Sequence, residues 1–242
     1  MKKKLLYRLF IFLLSGFLSI ESAFALQKTI FPCDKYSDTF ETFNLDHWKD
    51  ILLLSRSKGI VKVENGYLML QASEKGPCEI QVYSLFTFEN NFDIQVDYDI
   101  SNLNKHKECR FNTGIVLQTM QDEISYKCYV AKGAKTSLIF RSRIDRFGEK
   151  NIEKHKTKAF DKKGTIRIVR NKGQIKFLIL NNKRLKNKQW NTIYKFKALC
   201  REKLRLRIKL QTGEDKGLKN ICPLTIKYDN FKVNSCYKII EE

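Results

Sequence analysis

The chain has 242 residues, with 46 Lys and Arg against 26 Asp and Glu and a formal net charge of +20. Its 43% hydrophobic share is enough for a sizeable core, which excludes a wholly disordered chain, because disorder combines charge with low hydrophobicity. Eleven glycines exclude a collagen-like repeat, and 30% charged residues exclude a multi-pass membrane protein.

Residues 1–25 read as an export signal. Lys2, Lys3, Lys4 and Arg8 make a basic start, an apolar run covers 9–20, and Ala23-Phe24-Ala25 supplies a small-x-small cleavage site. The run is too short for a membrane span, which takes about 20 residues. A single domain of residues 26–242 is therefore expected outside the cytoplasm, secreted or periplasmic, with no transmembrane span after cleavage. Leu26 and not Cys follows the cut, so no bacterial lipid anchor is expected. The processed chain keeps 42 basic and 25 acidic side chains, a net +17. Such an excess favours anionic partners, and solubility is the plainer account of it.

Alternation of apolar and polar residues dominates the processed chain. Strands at 60–63 and 67–71 flank Asn65-Gly66, the strongest short hairpin signal. Others are expected at 79–86, 92–100, 113–119, 124–131 and 137–144, with a helical turn conceivable only near 45–53. The charged stretch 142–163 suggests a protruding hairpin of low stability, turning at Phe147-Gly148-Glu149 and carrying a basic tail over 154–158. Strands at 165–170 and 174–180 flank the turn Asn171-Lys172-Gly173, and two more cover 204–210 and 224–233. Many short strands joined by turns mean an all-β sandwich or barrel.

Seven cysteines in an exported chain read as disulfides before metal ligands, since no CxxC pair occurs. The odd number leaves one thiol over, and the connectivities stay open. Chain position suggests Cys33 with Cys236, at the two ends of the processed chain. It also suggests Cys109 with Cys128 and Cys200 with Cys222, each pair flanking a strand region, and leaves Cys78 over. Some of these residues acting as small buried hydrophobes is the alternative.

Several stretches carry a resemblance when taken in order. They are Asp38-Thr39-Phe40 with Trp48 after it, VENGYLML at 63–70, NFDIQVDY at 91–98, GTIRIVR at 164–170, Trp190, and YDNFKV at 228–233. The set resembles the concanavalin A-like lectin/glucanase superfamily over most of the processed chain. The resemblance implies a two-sheet antiparallel jelly-roll sandwich with its first and last strands side by side, which would bring Cys33 close to Cys236. The superfamily holds lectins, glycoside hydrolases and polysaccharide lyases, so the fold does not fix the function.

The hydrolase branch carries Glu-x-Asp-x-x-Glu on one strand, and retaining hydrolysis needs two carboxylates about 5–5.5 Å apart. Asp93, Asp97 and Asp99 share a strand face, but Glu is absent and the spacing departs from that pattern. Cross-strand ion pairs with Arg205, Arg207 and Lys209 are the plainer expectation. The lyase branch uses a Tyr/His pair with cationic or amide groups. Of the three histidines, His106 and His155 each sit between lysines, His47 stands beside Trp48, and no Gln-x-His occurs. No Ser/His/Asp group, phosphate-cradling Gly loop or metal-ligand cluster stands out, so no cofactor is expected. The resemblance allows a structural Ca²⁺, but the oxygen-rich loop it would need is not identifiable.

Sugar binding uses aromatic faces beside hydrogen-bonding groups. Trp190, in a polar turn-like setting, and Trp48 are the aromatic candidates, each set against the plainer role of core anchor. Arg167, Arg170 and Lys176 on one hairpin, with Arg205 and Arg207 on another strand, would form a basic floor for carboxylate or sulfate if those strands share the concave sheet. The plainer reading is a solvated sheet face. The expected function is an exported non-catalytic module binding carbohydrate, with an anionic glycan favoured by the charge. The alternatives are a polysaccharide lyase or glycoside hydrolase with an atypical site, and an envelope interaction protein using sheet edges or Cys78. Nucleic acid is not an expected partner.

Overall fold

A computed structural model describes residues 33–52, 59–72, 78–103, 110–132, 138–146, 149–158, 161–181, 190–198, 203–213 and 223–241. The expected export signal, His106, Cys109, Cys200, Cys222 and the Phe147-Gly148 turn lie outside them. A short 3₁₀ turn, Asp34–Tyr36, opens the described chain. Thirteen strands follow: β1 Trp48–Leu52, β2 Ile60–Glu64, β3 Tyr67–Gln71, β4 Cys78–Asp99, β5 Phe111–Thr119, β6 Ile124–Lys132, β7 Ile139–Arg146, β8 Glu149–Lys158, β9 Lys163–Asn171, β10 Gln174–Asn181, β11 Trp190–Lys197, β12 Leu204–Thr212 and β13 Thr225–Glu241.

One long strand organises them. The two strands expected at 79–86 and 92–100 are a single strand, β4. Its first half pairs with β1 and β12 and its second half with β9, while β13 runs along the second half and on to Phe86 in the first. Asn90, between the halves, takes a left-handed conformation with φ 56°, which Asn tolerates better than most residues. The strand thereby passes from one layer to the other, as strands do at the corners of sandwiches. The front layer runs β4-β12-β5-β6-β7-β8, and the back layer is built from β11-β10-β9-β4 with β13, β3 and β2.

The layers meet through apolar side chains and a few cross-layer contacts. Tyr98 of β4 lies edge-on to Phe140 of β7, with ring centroids 6.1 Å apart. The hydroxyls of Thr113 on β5 and Tyr228 on β13 meet in the buried core at 2.5 Å. His155 of β8 stacks on Tyr194 of β11 at 3.2 Å. The charged hairpin expected to protrude therefore forms the edge of the front layer, where β7 pairs with both β6 and β8. An apolar partner across the sandwich outweighs the polarity of its sequence.

The 45–53 region is also corrected. The expected turn is confined to residues 45–47, closed by the Trp48 N–H donating to the Asn44 carbonyl at 2.9 Å, and Trp48–Leu52 form β1, antiparallel to β4, with Trp48 opposite Ser84. Trp48 is buried, and its Nε1 donates to Asp38 Oδ2 at 2.8 Å, so it is a core anchor. Cys33 and Cys236 are bridged, which ties the 3₁₀ turn to β13. The Cys109–Cys128 bridge is not formed. Cys128 is a buried free thiol on β6, facing inward with Tyr126 and Val130, and burial pushes its ionisation up.

Candidate functional site

Strand alternation sends one set of side chains from the front layer into the core and the other outward. The outward set is polar. It includes Asn112 and Gln118 on β5, Ser125, Lys127 and Tyr129 on β6, Arg141, Arg143 and Asp145 on β7, and Arg205, Arg207, Lys209 and Gln211 on β12. A groove of about 700 Å³ lies on this face, lined by most of these residues together with Asp122, Glu123 and Arg146. Gly114 sits in register between Tyr129 and Lys209 and leaves the floor without a side chain there. A Cβ at Gly114 would collide with the Cys128 carbonyl oxygen, so the close approach of β5 and β6 requires glycine.

The charges of the groove are organised around Asp145. Arg143 donates to it from Nε and Nη2, each at 2.6 Å, and Lys127 Nζ donates at 2.6 Å. Burial pulls the Lys127 ammonium below the usual lysine range. Asp145 opposes that, and the neighbouring Arg143 and Lys209 cations reinforce it. Lys209 Nζ meets Glu79 at 2.7 Å. Arg207 reaches Asp122 at 2.7 Å and lies over the Tyr83 ring, 4.4 Å from its centroid. The lining holds five cations, Lys127, Arg141, Arg143, Arg146 and Lys209, against three acids, which leaves it electropositive. It contains hydroxyl, amide, carboxylate and guanidinium groups, and neither His nor Cys. Such a surface can grip polyols and anions.

The structure divides the expected site. Arg205 and Arg207 face outward on the front layer, beside the groove. Arg167, Lys176 and Trp190 belong to the back layer. Arg167 forks onto Asp93, with Nε to Oδ1 at 2.7 Å and a second bond from Nη2 to Oδ2, and its guanidinium lies 4.9 Å from the Trp190 ring centroid. Trp190 begins β11 and is not in a turn. Arg170 is buried, on the opposite strand face from Arg167, because three residues separate them and the period is two. The expectation of one basic floor is therefore corrected: β12 pairs with the first half of β4 and β9 with the second.

The acidic strand is ion-paired as expected, with different partners. Asp93 meets Arg167, and Asp99 meets Lys163 at 2.6 Å. Asp97 and Asp229 are cross-strand partners that line a smaller back-layer pocket of about 200 Å³. Burial, with Asp97 and Glu41 nearby, raises the Asp229 carboxyl above its usual range. Lys127, Arg141, Arg143 and Asp145 were not singled out by sequence. Their signal was the alternation of 124–131 and 137–144, whose polar members define this face.

The sequence matches no protein-family profile and no curated protein. Similar solved structures exist. One comes from work on endo-acting O-glycanases of the human gut microbiota that initiate mucin breakdown; it has a TM-score of 0.58 at 14% identity and covers 81% of this chain and 97% of that one. A non-specific endo-β-1,3(4)-glucanase of glycoside hydrolase family 16 gives 0.57 at 10% identity, covering 85% and 90%. A legume lectin-like domain from Entamoeba histolytica gives 0.53 at 10% identity, covering 81% and 90%. The fold is a concanavalin A-like jelly roll. At these identities the likeness establishes architecture, and the groove must be read from its own residues.

Proposed function

We propose that the protein is an exported, non-catalytic glycan-binding module, that its groove on the front layer holds the sugar chain, and that anionic glycans are preferred. The observation carrying this reading is the groove itself: about 700 Å³ of polar-lined space with more cations than acids. Amide and hydroxyl groups of Asn112, Gln118, Ser125 and Gln211 suit sugar hydroxyls, and the cations suit carboxylate or sulfate. The similar structures include glycanases and a lectin-like domain, which supports a sugar as ligand. Asp145 is held by two cations, an arrangement that suits a structural anchor better than an acid or nucleophile. Export is supported by the Cys33–Cys236 bridge, since such bonds persist in oxidising compartments.

Affinity electrophoresis through gels containing neutral or anionic polysaccharides tests the reading. Retardation that is strongest on anionic glycans and weakens with added salt is expected. Absence of retardation on every glycan at low salt would overturn it. A parallel assay for reducing ends and unsaturated products separates binding from cleavage, and sustained product release would replace the module with an enzyme.

A further inference from the structure

We infer that Arg141 is the residue that receives the acidic substituent, a carboxylate or a sulfate, of the bound glycan. This rests on the groove being the glycan site and names the point within it that distinguishes a charged sugar from a neutral one.

Of the other four cations lining the groove, Arg146 is exposed at the end of β7 and three have carboxylate partners. Lys127 and Arg143 share Asp145, and Lys209 meets Glu79. Beside the groove, Arg207 meets Asp122. Arg141 lines the same groove, forms no ion pair among the described residues, and has a buried Nε without a hydrogen-bond partner. A buried unpaired guanidinium nitrogen is costly, and a ligand is one of the partners that can satisfy it.

The surroundings of Arg141 add to its positive potential. Its strand neighbours across the sheet are Tyr129 on β6 and Lys156 on β8, and Arg143 stands two residues along the same face. The carboxylate on the same face of its own strand, Asp145, is already held by two cations. An incoming oxyanion would thus find in Arg141 a half-buried planar fork of donors committed to no carboxylate, the geometry that matches carboxylate and sulfate oxygens. Arg141 is half-buried on the central part of a rigid strand, between β6 and β8, so little side-chain freedom would be lost on binding.

Calorimetric titration of the full processed chain with three probes tests this: a uronic acid oligosaccharide, a sulfated oligosaccharide and a neutral β-glucan oligosaccharide. The wild type is expected to bind at least one charged probe about tenfold or more tightly than the neutral one. Arg141→Gln is expected to remove that preference, weakening the charged probes far more than the neutral one. Arg141→Lys, which keeps charge and stem but not the fork, is expected to retain only part of it, and it carries the test if Arg141→Gln does not fold. Comparing the two charged probes shows which oxyanion is read. Equal wild-type affinity for charged and neutral probes, or an unchanged preference in both variants, would overturn the role of Arg141 while leaving the groove as a glycan site. Binding of none of the probes would overturn the groove reading together with it.

Discussion

Lys127 of β6 and Asp145 of β7 are joined at 2.6 Å across the floor of the groove, and Arg143 closes on the same carboxylate from its own strand. One acid thus neutralises two partly buried cations. Removing it in Asp145→Ala leaves both uncompensated, and a loss of about 1–3 kcal/mol is expected. Urea denaturation midpoints of wild type, Asp145→Asn and Asp145→Ala check this. The amide, which still accepts a hydrogen bond, should lose less than the methyl. Retention on anionic glycan should rise in both variants, because the two cations become available.

The two layers separate the aromatic candidate from the groove. Lys209→Gln, in the floor, is expected to weaken glycan binding about three- to tenfold. Trp190→Ala, on the back layer against Arg167, should leave binding unchanged. A loss at Trp190 with none at Lys209, measured in the same titration, would move the site to the back layer.

The bridge between Cys33 and Cys236 closes a loop over a sequence separation of 203 residues. A constraint of that length acts mainly on the unfolded chain, so Cys33→Ser is expected to cost about 2–5 kcal/mol with little change in fold. Urea curves with and without reductant give the check: wild type in reductant should approach the variant, and the variant should respond to reductant less than the wild type does.

Gly114 allows β5 and β6 to approach closely, and the atom that Gly114→Ala adds would meet backbone, which cannot step aside. A loss of about 2–4 kcal/mol is expected, or failure to accumulate soluble protein. Thermal melts followed by far-ultraviolet circular dichroism would show it, with Gly173→Ala as a comparison of smaller loss, since nothing surrounds its added methyl and only its left-handed backbone, φ 73°, is strained.

Asp229 gives a pH dependence. Its carboxyl is raised by burial and by Asp97 and Glu41, so the folded state favours its protonated form. That contribution to stability is fully present below the unfolded value near 3.8 and is lost as pH rises through the folded value. At neutral pH the carboxylate is therefore a cost, which Asp229→Asn removes. A rise in Tm of about 1–2 °C is expected at pH 7, fading below the ordinary carboxylate range. Melting curves from pH 3 to pH 8 would show the two profiles converging at the acid end.

Much of the fold was legible in the sequence because strand alternation is local. The runs at 92–100 and 204–210 show their inward faces directly, and both are buried as the pattern requires. Where local and distant influences disagreed, the distant ones won. Trp48–Leu52 carry no strong strand pattern and form β1 because β4 offers them an edge. The charged 142–163 stretch joins the sheet, with His155 stacked on Tyr194. The site was less legible. Arg205 and Arg207 face outward beside the groove, whereas Arg167, Lys176 and Trp190 belong to the other layer, and Arg170 points inward.

The sequence alone determined the strand class and the export expectation, since these rest on periodicity and composition, while it only suggested the Cys33–Cys236 pairing that the structure shows. Only the tertiary structure decided which polar residues share a surface. Alternation says that a side chain points away from the core, but not which other strands stand beside it. That is settled by the bend of β4 at Asn90, where one strand joins both layers and gathers Lys127, Arg141, Arg143 and Lys209 around a common groove.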